Sequence, residues 1–319
     1  GIVPSYNTCM HLFDSMVKPI LSYGSDIWGV HLFNKNSIVY KNIIQNKLEK
    51  CHQSYIKYAV GLNRYTPLIG LYGESGRFPL AIMMLINSLK YQSRIESMDH
   101  SSLLYQCYLT NKTDQNVNSI WNKSKSILNK LDGENIFQMS KLKFTGIKLK
   151  LEKLFKEFWH SSIHNDSNSE YGNKLRHYRI YKTRFAKEEY LNLANHYPYR
   201  STLAMFRLSS HKLHIESGRH VGFKDRLKPE DRLCFYCDSN VCENEFHFLI
   251  KCPNYSILRN EMINLISNKF PNIHSFSGEE LYFWLISNLD PLVISLLSKF
   301  LSKAFEKFEK VQISKIVYC

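Results

Sequence analysis

The chain has 319 residues, 44% hydrophobic and 22% charged, with few glycines (13) and prolines (9), which allows about two folded domains and excludes long disorder. No apolar stretch approaches the ~20 residues that cross a bilayer, and eight cysteines are too sparse for a disulfide scaffold, so the sequence predicts a soluble protein of the nucleus or cytoplasm with no membrane partner. The 42 Lys+Arg against 28 Asp+Glu give a formal charge of +14, which makes a polyanion the natural partner and a merely solvated basic surface the alternative.

Apolar residues recur mainly at helical spacing. Met10, Phe13, Met16/Val17 and Ile20 predict a first helix, kinked or shortened by Pro19, and Ile44, Leu48, Cys51, Tyr55 and Tyr58/Ala59 predict a second that ends before Gly61. Leu71 to Pro79, with Gly73, Gly76 and Pro79, reads as a loop, and Pro79 suits the first turn of a helix through Met83, Ile86 and Leu89. Helices follow over Val117–Leu131 and Ile147–Ile163, then the polar stretch His164–Ser169 reads as a boundary. From Ser201 a helix carries Leu203, Phe206, Leu213 and Ile215 inward until Gly218. Beyond residue 252, Tyr255–Phe270, Glu279–Leu289 and Pro291–Lys310 are helical in period. No long alternating strand is visible, so the predicted fold class is mainly α.

Four cysteines crowd into 234–252. Cys234-Phe-Tyr-Cys237, nine residues, His247, four residues and Cys252-Pro give three thiolates and one imidazole, the soft and borderline donors that zinc takes in a tetrahedron. Four protein donors leave no place for an activated water, so the predicted zinc is structural. Cys242 breaks the knuckle spacing and is expected to stand aside. Cys9, Cys51 and Cys107 lie among apolar residues and are read as core cysteines.

Residues 171–233 hold 14 Lys/Arg and 6 Asp/Glu, so eight of the fourteen surplus charges fall in this stretch. Cations alternate there with Tyr171, Tyr178, Tyr181 and Phe185, a mixture in which cations meet phosphates and rings stack on unpaired bases, or in which the rings simply fill a core. Arg176, Arg179, Arg184, Arg207, Lys212, Arg219 and Arg226 are the predicted phosphate contacts, Arg219 beside Gly218 first among them. His211 and His214 are read as polar or phosphate contacts.

Three segments carry a resemblance. Leu12-Phe-Asp-Ser-Met-Val-Lys-Pro-Ile-Leu-Ser-Tyr-Gly-Ser-Asp-Ile-Trp-Gly29 looks like the segment just after the palm in reverse transcriptases of non-LTR (LINE-type) retrotransposons. Leu71-Tyr-Gly-Glu-Ser-Gly-Arg-Phe-Pro-Leu80 and Leu208-Ser-Ser-His-Lys-Leu-His-Ile-Glu-Ser-Gly-Arg219 resemble motifs of the same reading frames, and the cysteine cluster with Pro253 and Tyr255 resembles their terminal zinc knuckle. The resemblance implies a thumb-like helical region over 1–100, a helical linker over 101–169, a basic helical segment over 170–233, a CCHC zinc knuckle over 234–255 and C-terminal helices over 256–319.

It also implies a role: gripping template RNA, target DNA or their hybrid while an upstream palm polymerises. The chain begins with Gly and has no Asp-Asp dipeptide, so it reads as a fragment without the polymerase centre, and no enzymatic activity is expected of it. The upstream palm and fingers would belong to the parent protein. Two alternatives stay open: a protein-interaction scaffold stapled by zinc, and a decayed retroelement copy.

Overall fold

In the computed structural model the described residues are 4–33, 38, 40–113, 116, 118–132, 141–165, 173–193, 196–219 and 227–317. Among them lie seventeen α-helices, and the β pairing is an isolated antiparallel bridge between Leu233 and Cys242, so the mainly α expectation holds. No single helix among the described residues is long and apolar enough to cross a membrane.

The chain groups into two compact units that interleave in sequence, one of residues 1–10, 56–76 and 161–319, the other of 11–55 and 77–160. Local patterning reveals helices, whereas the grouping is set by contacts between segments far apart in the chain.

In the unit of 11–55 and 77–160, the Leu80–Glu96 helix buries Leu80, Met84, Leu85, Ser88 and Leu89 and packs on the turns Ser25–Trp28 and Gly29–Leu32. Glycine is required at position 29, because a Cβ there would lie 2.2 Å from the Met84 carbonyl oxygen. The first predicted helix is widened to a π turn at Phe13–Val17 just before Pro19, whose missing N–H already breaks the regular ladder. Phe13 is buried, but Met16 and Ile20, expected inward, are exposed.

The Lys47–Val60 helix presents a different face from the one its apolar residues suggested. Cys51 and Tyr58 are exposed, whereas Glu49, His52 and Gln53 are buried with Ile56 and Ala59. Each buried polar group has a partner, which is what makes its burial tolerable. Glu49 accepts the Leu80 N–H at 2.9 Å and pairs with His52 Nδ1 at 2.7 Å, and Gln53 donates to the Ile44 carbonyl at 2.6 Å. Arg77 donates to His52 Nε2 at 3.2 Å, which leaves the ring proton on Nδ1 facing Glu49. Cys107 is likewise exposed rather than in the core, while Cys9 is buried.

In the unit of 1–10, 56–76 and 161–319, the segment expected as a loop is helical from Leu68 to Ser75, and Gly70 to Ser75 are all buried. Packing overrides the weak helix propensity of its glycines. A Cβ on Gly70 would sit 2.5 Å from Leu208 Cδ2, so a glycine lets the two segments close up. Gly76 ends the helix with φ +63°, its N–H on the Tyr72 carbonyl.

The single helix predicted from Ser201 to Gly218 is two, Tyr197–Arg207 and His214–Ser217. Ser209 breaks it with φ +48°, held there by a 2.6 Å hydrogen bond from its Oγ to Glu245. Leu203, Phe206, Leu213 and Ile215 are nevertheless all buried. The Tyr197–Arg207 and Ser256–Ser267 helices both pack on the long Pro291–Val317 helix, where Phe206, Phe248 and Phe305 meet ring to ring.

Candidate metal centre and basic surface

The bridge at Leu233 and Cys242 turns the chain back on itself: Cys234 donates its N–H to the Val241 carbonyl at 2.8 Å and Glu243 donates to the Arg232 carbonyl at 2.8 Å. Cys234 and Cys237 lie within this turn. The other pair comes from a π turn at His247–Lys251, entered through a 2.8 Å hydrogen bond from the His247 N–H to Asn244 Oδ1 and closed by the Cys252 N–H on the His247 carbonyl at 2.7 Å. In a π turn five residues make about one revolution, which returns Cys252 to the side of His247.

The three sulfurs and one imidazole nitrogen all lie within 4.8 Å of one another, so the cluster can hold a metal ion. Cys237 Sγ is 3.3 Å from His247 Nε2. A tetrahedron with metal–sulfur arms of about 2.3 Å has edges of about 3.8 Å, so these spacings suit a single small ion. Cys242 is outside the cluster, as expected of it. The Cys234 thiol is pushed up to about 12, first by its hydrogen bond to Cys252 and then by burial, and the same bond lowers Cys252.

Aromatic rings pack around the segments that carry the cluster. Phe248 lies 4.6 Å from Tyr255 and 4.7 Å from Phe305, and Tyr236 lies 4.7 Å from Phe308 on the Pro291–Val317 helix. Arg259 donates to the Leu249 and Cys252 carbonyls at 2.7 and 2.6 Å, fixing the turn that presents Cys252.

Two buried charges, Glu243 and Arg232, connect this module to the preceding segment. Glu243 accepts the His214 N–H at 2.7 Å, and its backbone carbonyl accepts the Ile215 N–H at 3.1 Å. Arg232, fully buried, donates to the Ile215 carbonyl at 2.7 Å and the Leu227 carbonyl at 2.6 Å. His214 Nδ1 donates to the Leu233 carbonyl at 2.8 Å, so this histidine is a structural tie rather than a phosphate contact.

The predicted phosphate contacts divide. Arg207 is buried against Glu74 and Glu188, and Arg176 holds Glu245 at 2.6 and 2.7 Å and Glu216 at 2.7 Å. Both are corrected to internal tethers: their guanidinium groups are already committed to carboxylates that sequence proximity does not reveal. His211, its side chain 2% exposed, also points at Glu245, at 3.0 Å. Burial alone would raise the Glu245 carboxyl, but Arg176 and the two histidines His177 and His211 hold it well below the usual range. Arg219 pairs with Glu216 at 2.9 Å and keeps only a small exposed part. Lys212 is largely exposed and shares a 2.9 Å surface pair with Glu309. Arg184 is exposed and Arg179 half-buried, neither with an acidic partner among the described residues. Arg226 lies outside the described residues.

Lys174 of the basic stretch meets two cations, Lys57 and Arg64, that the sequence reading did not name. Lys57 donates to the Arg64 carbonyl at 2.8 Å, Lys174 donates to the Tyr65 carbonyl at 3.0 Å, and the Arg64 guanidinium lies 4.6 Å over the Tyr65 ring. Tyr65 is 63% exposed. Burial lowers the Lys57 ammonium and Lys174 lowers it further, so the fold brings two cations together at a cost. Lys57 and Arg64 precede the basic stretch by more than a hundred positions, and only the fold joins them to it.

No protein-family model, no curated protein and no solved structure matches the chain.

Proposed function

We propose that Cys234, Cys237, His247 and Cys252 hold a structural zinc ion, and that the chain is the nucleic-acid-binding C-terminal portion of a non-LTR retrotransposon reverse transcriptase, gripping RNA, DNA or their hybrid. The observation that carries it is the convergence of three thiols and one imidazole within 4.8 Å, a donor set that suits zinc and leaves no protein-free coordination position for catalysis. The module so closed is tied through Glu243 and Arg232 to the segment bearing Lys212 and Arg219. Lys57, Arg64, Lys174, Arg179, Arg184 and Lys212 are the cations offered to phosphates, with Tyr65 as a platform on which an unpaired base stacks. Grip, not polymerisation, is the role assigned, since the sequence has no Asp-Asp dipeptide to carry the polymerase metals.

The test has two arms. Metal analysis of protein purified without chelator is expected to find one zinc per chain, and gel shifts with single-stranded and hybrid probes at two salt concentrations are expected to show steep salt dependence, because each neutralised phosphate releases counterions. Absence of stoichiometric zinc removes the first half of the proposal, and absent or salt-independent binding removes the second. The internal use of Arg176 and Arg207 favours one competing reading, a protein-interaction scaffold, which predicts zinc without nucleic-acid binding.

A further inference from the structure

The Leu80–Glu96 and Lys141–Asn165 helices leave between them a cleft of about 590 Å³ that the basic stretch of 171–233 does not supply. We propose that this cleft binds a nucleotide, its phosphates on Lys90, Arg94 and Lys148 and its base over Ile86 and Phe144.

Charge is the first argument. Three cations line a concave surface to which no carboxylate contributes among the described residues. Lys90 has no ion-pair partner among the described residues, Arg94 lies 5.1 Å over the Tyr91 ring, and Lys148 has only Glu152 of its own helix, 3.6 Å away. Such a pocket focuses positive potential inward, and an anion relieves the repulsion. Ser93 and Thr145 add hydroxyl groups to the lining.

Shape is the second. The volume falls in the range of about 300–1,000 Å³ typical of small-molecule sites, far more than inorganic phosphate needs. Lys90 and Arg94 are one helical turn apart, about 6 Å along the axis, so they can address successive phosphates of one chain. Ile86 and Phe144, 6% and 8% exposed, are the apolar part of the lining, against which a base can rest. Cations and an apolar part in one lining match a ligand that is anionic at one end and flat and apolar at the other.

The experiment is calorimetric titration of the full chain with ATP, without added metal, beside titrations with pyrophosphate, adenosine and a single-stranded oligonucleotide. One ATP per chain is expected, with pyrophosphate and adenosine each at least about tenfold weaker. Lys90→Glu with Lys148→Glu is expected to weaken ATP by more than tenfold, whereas Lys125→Glu, an exposed change on the Ile120–Asp132 helix, leaves it unaltered. Should the reversal pair lose helix content, Lys90→Gln with Lys148→Gln carries the same expectation at smaller size. No ATP binding, binding that survives these changes, or pyrophosphate binding as tightly as ATP overturns the nucleotide assignment. So does oligonucleotide binding that is tighter than ATP and lost in the same variants, since the groove then serves a strand. None of these outcomes depends on the zinc cluster or on the cations of 171–233, so the nucleic-acid proposal stands or falls separately.

Discussion

Glu74 and Arg207, 133 positions apart, form a buried two-pronged ion pair, Arg207 Nε to Glu74 Oε2 at 3.0 Å and Nη2 to Oε1 at 3.1 Å. Glu188 takes a further Arg207 N–H at 2.7 Å, the Ile286 carbonyl takes another at 2.7 Å, and Tyr190 donates to Glu74 at 2.5 Å. The pair joins the Leu68–Ser75 helix to the Tyr197–Arg207 helix, two elements far apart in the chain. Removing one member strands a charge in a dry interior. Arg207→Ala is expected to lower stability by about 3–5 kcal/mol. Urea denaturation reads this directly, and a midpoint equal to the parent's contradicts the arrangement.

The same cluster sets an acid dependence. Burial would raise the Glu188 carboxyl, but Arg207 and Lys182 together hold it below its ordinary 4.5. A carboxyl depressed in the folded state contributes stability above its unfolded value, and that contribution is lost as pH falls through the folded value. The parent's urea midpoint is therefore expected to fall between pH 6 and pH 3.5 more steeply than that of Glu188→Gln, which is weaker at neutral pH. Parallel pH curves would refute the assigned shift.

Gly76 offers a steric test. Its φ of +63° costs an L residue about 1–2 kcal/mol, and an added Cβ would also lie 2.3 Å from the Lys187 backbone nitrogen. Backbone cannot rotate away as a side chain can. Gly76→Ala is expected to lose more stability in thermal melts than the left-handed conformation alone explains, while Gly146→Ala, with open space around it, is expected to gain slightly.

The metal cluster supplies a chemical test. Thiols bind metal as thiolates, and the hydrogen bond to Cys252 and burial push the Cys234 thiol up to about 12, so an ion must displace protons to reach sulfur. Metal uptake should release protons and weaken as pH falls from 8 to 6, and Cys237→Ser should abolish it while Cys242→Ser does not. Equal loss in both variants would place the ligands elsewhere.

The local features were legible in the sequence and the distant ones were not. Cys-x-x-Cys, His247 and Cys252 announce themselves by spacing, and the helices of the C-terminal part follow from their apolar period. The loop expected at Leu71–Pro79 holds only from Gly76 to Pro79; Leu71 to Ser75 are helical and buried, since Gly73 sits inside a packed helix and not in a turn. The inward face of Lys47–Val60 was misjudged because Glu49, His52 and Gln53 are buried through partners elsewhere in the chain. Arg176 and Arg207 were read as surface cations for the same reason: basic composition records charge but not the carboxylate that meets it.

That distinction separates Arg176 from Lys174, two positions away. Lys174 contributes to the cluster with Lys57 and Tyr65, and burial lowers its ammonium, with Arg219 and Arg176 adding to the effect against the pull of Glu216. If the surface binds nucleic acid, Lys174→Ala should weaken binding for every probe sequence and reduce the salt slope by about one, with little change in melting temperature. Arg176→Ala should instead unfold the protein more readily, since Glu245 loses its chief cation in a fully buried setting. Gel shifts over a salt series, paired with thermal melts of both variants, tell the two roles apart. A Lys174 variant that binds with the parent's slope would remove this cluster from the interface, and an Arg176 variant that melts like the parent but binds less would return that arginine to the surface.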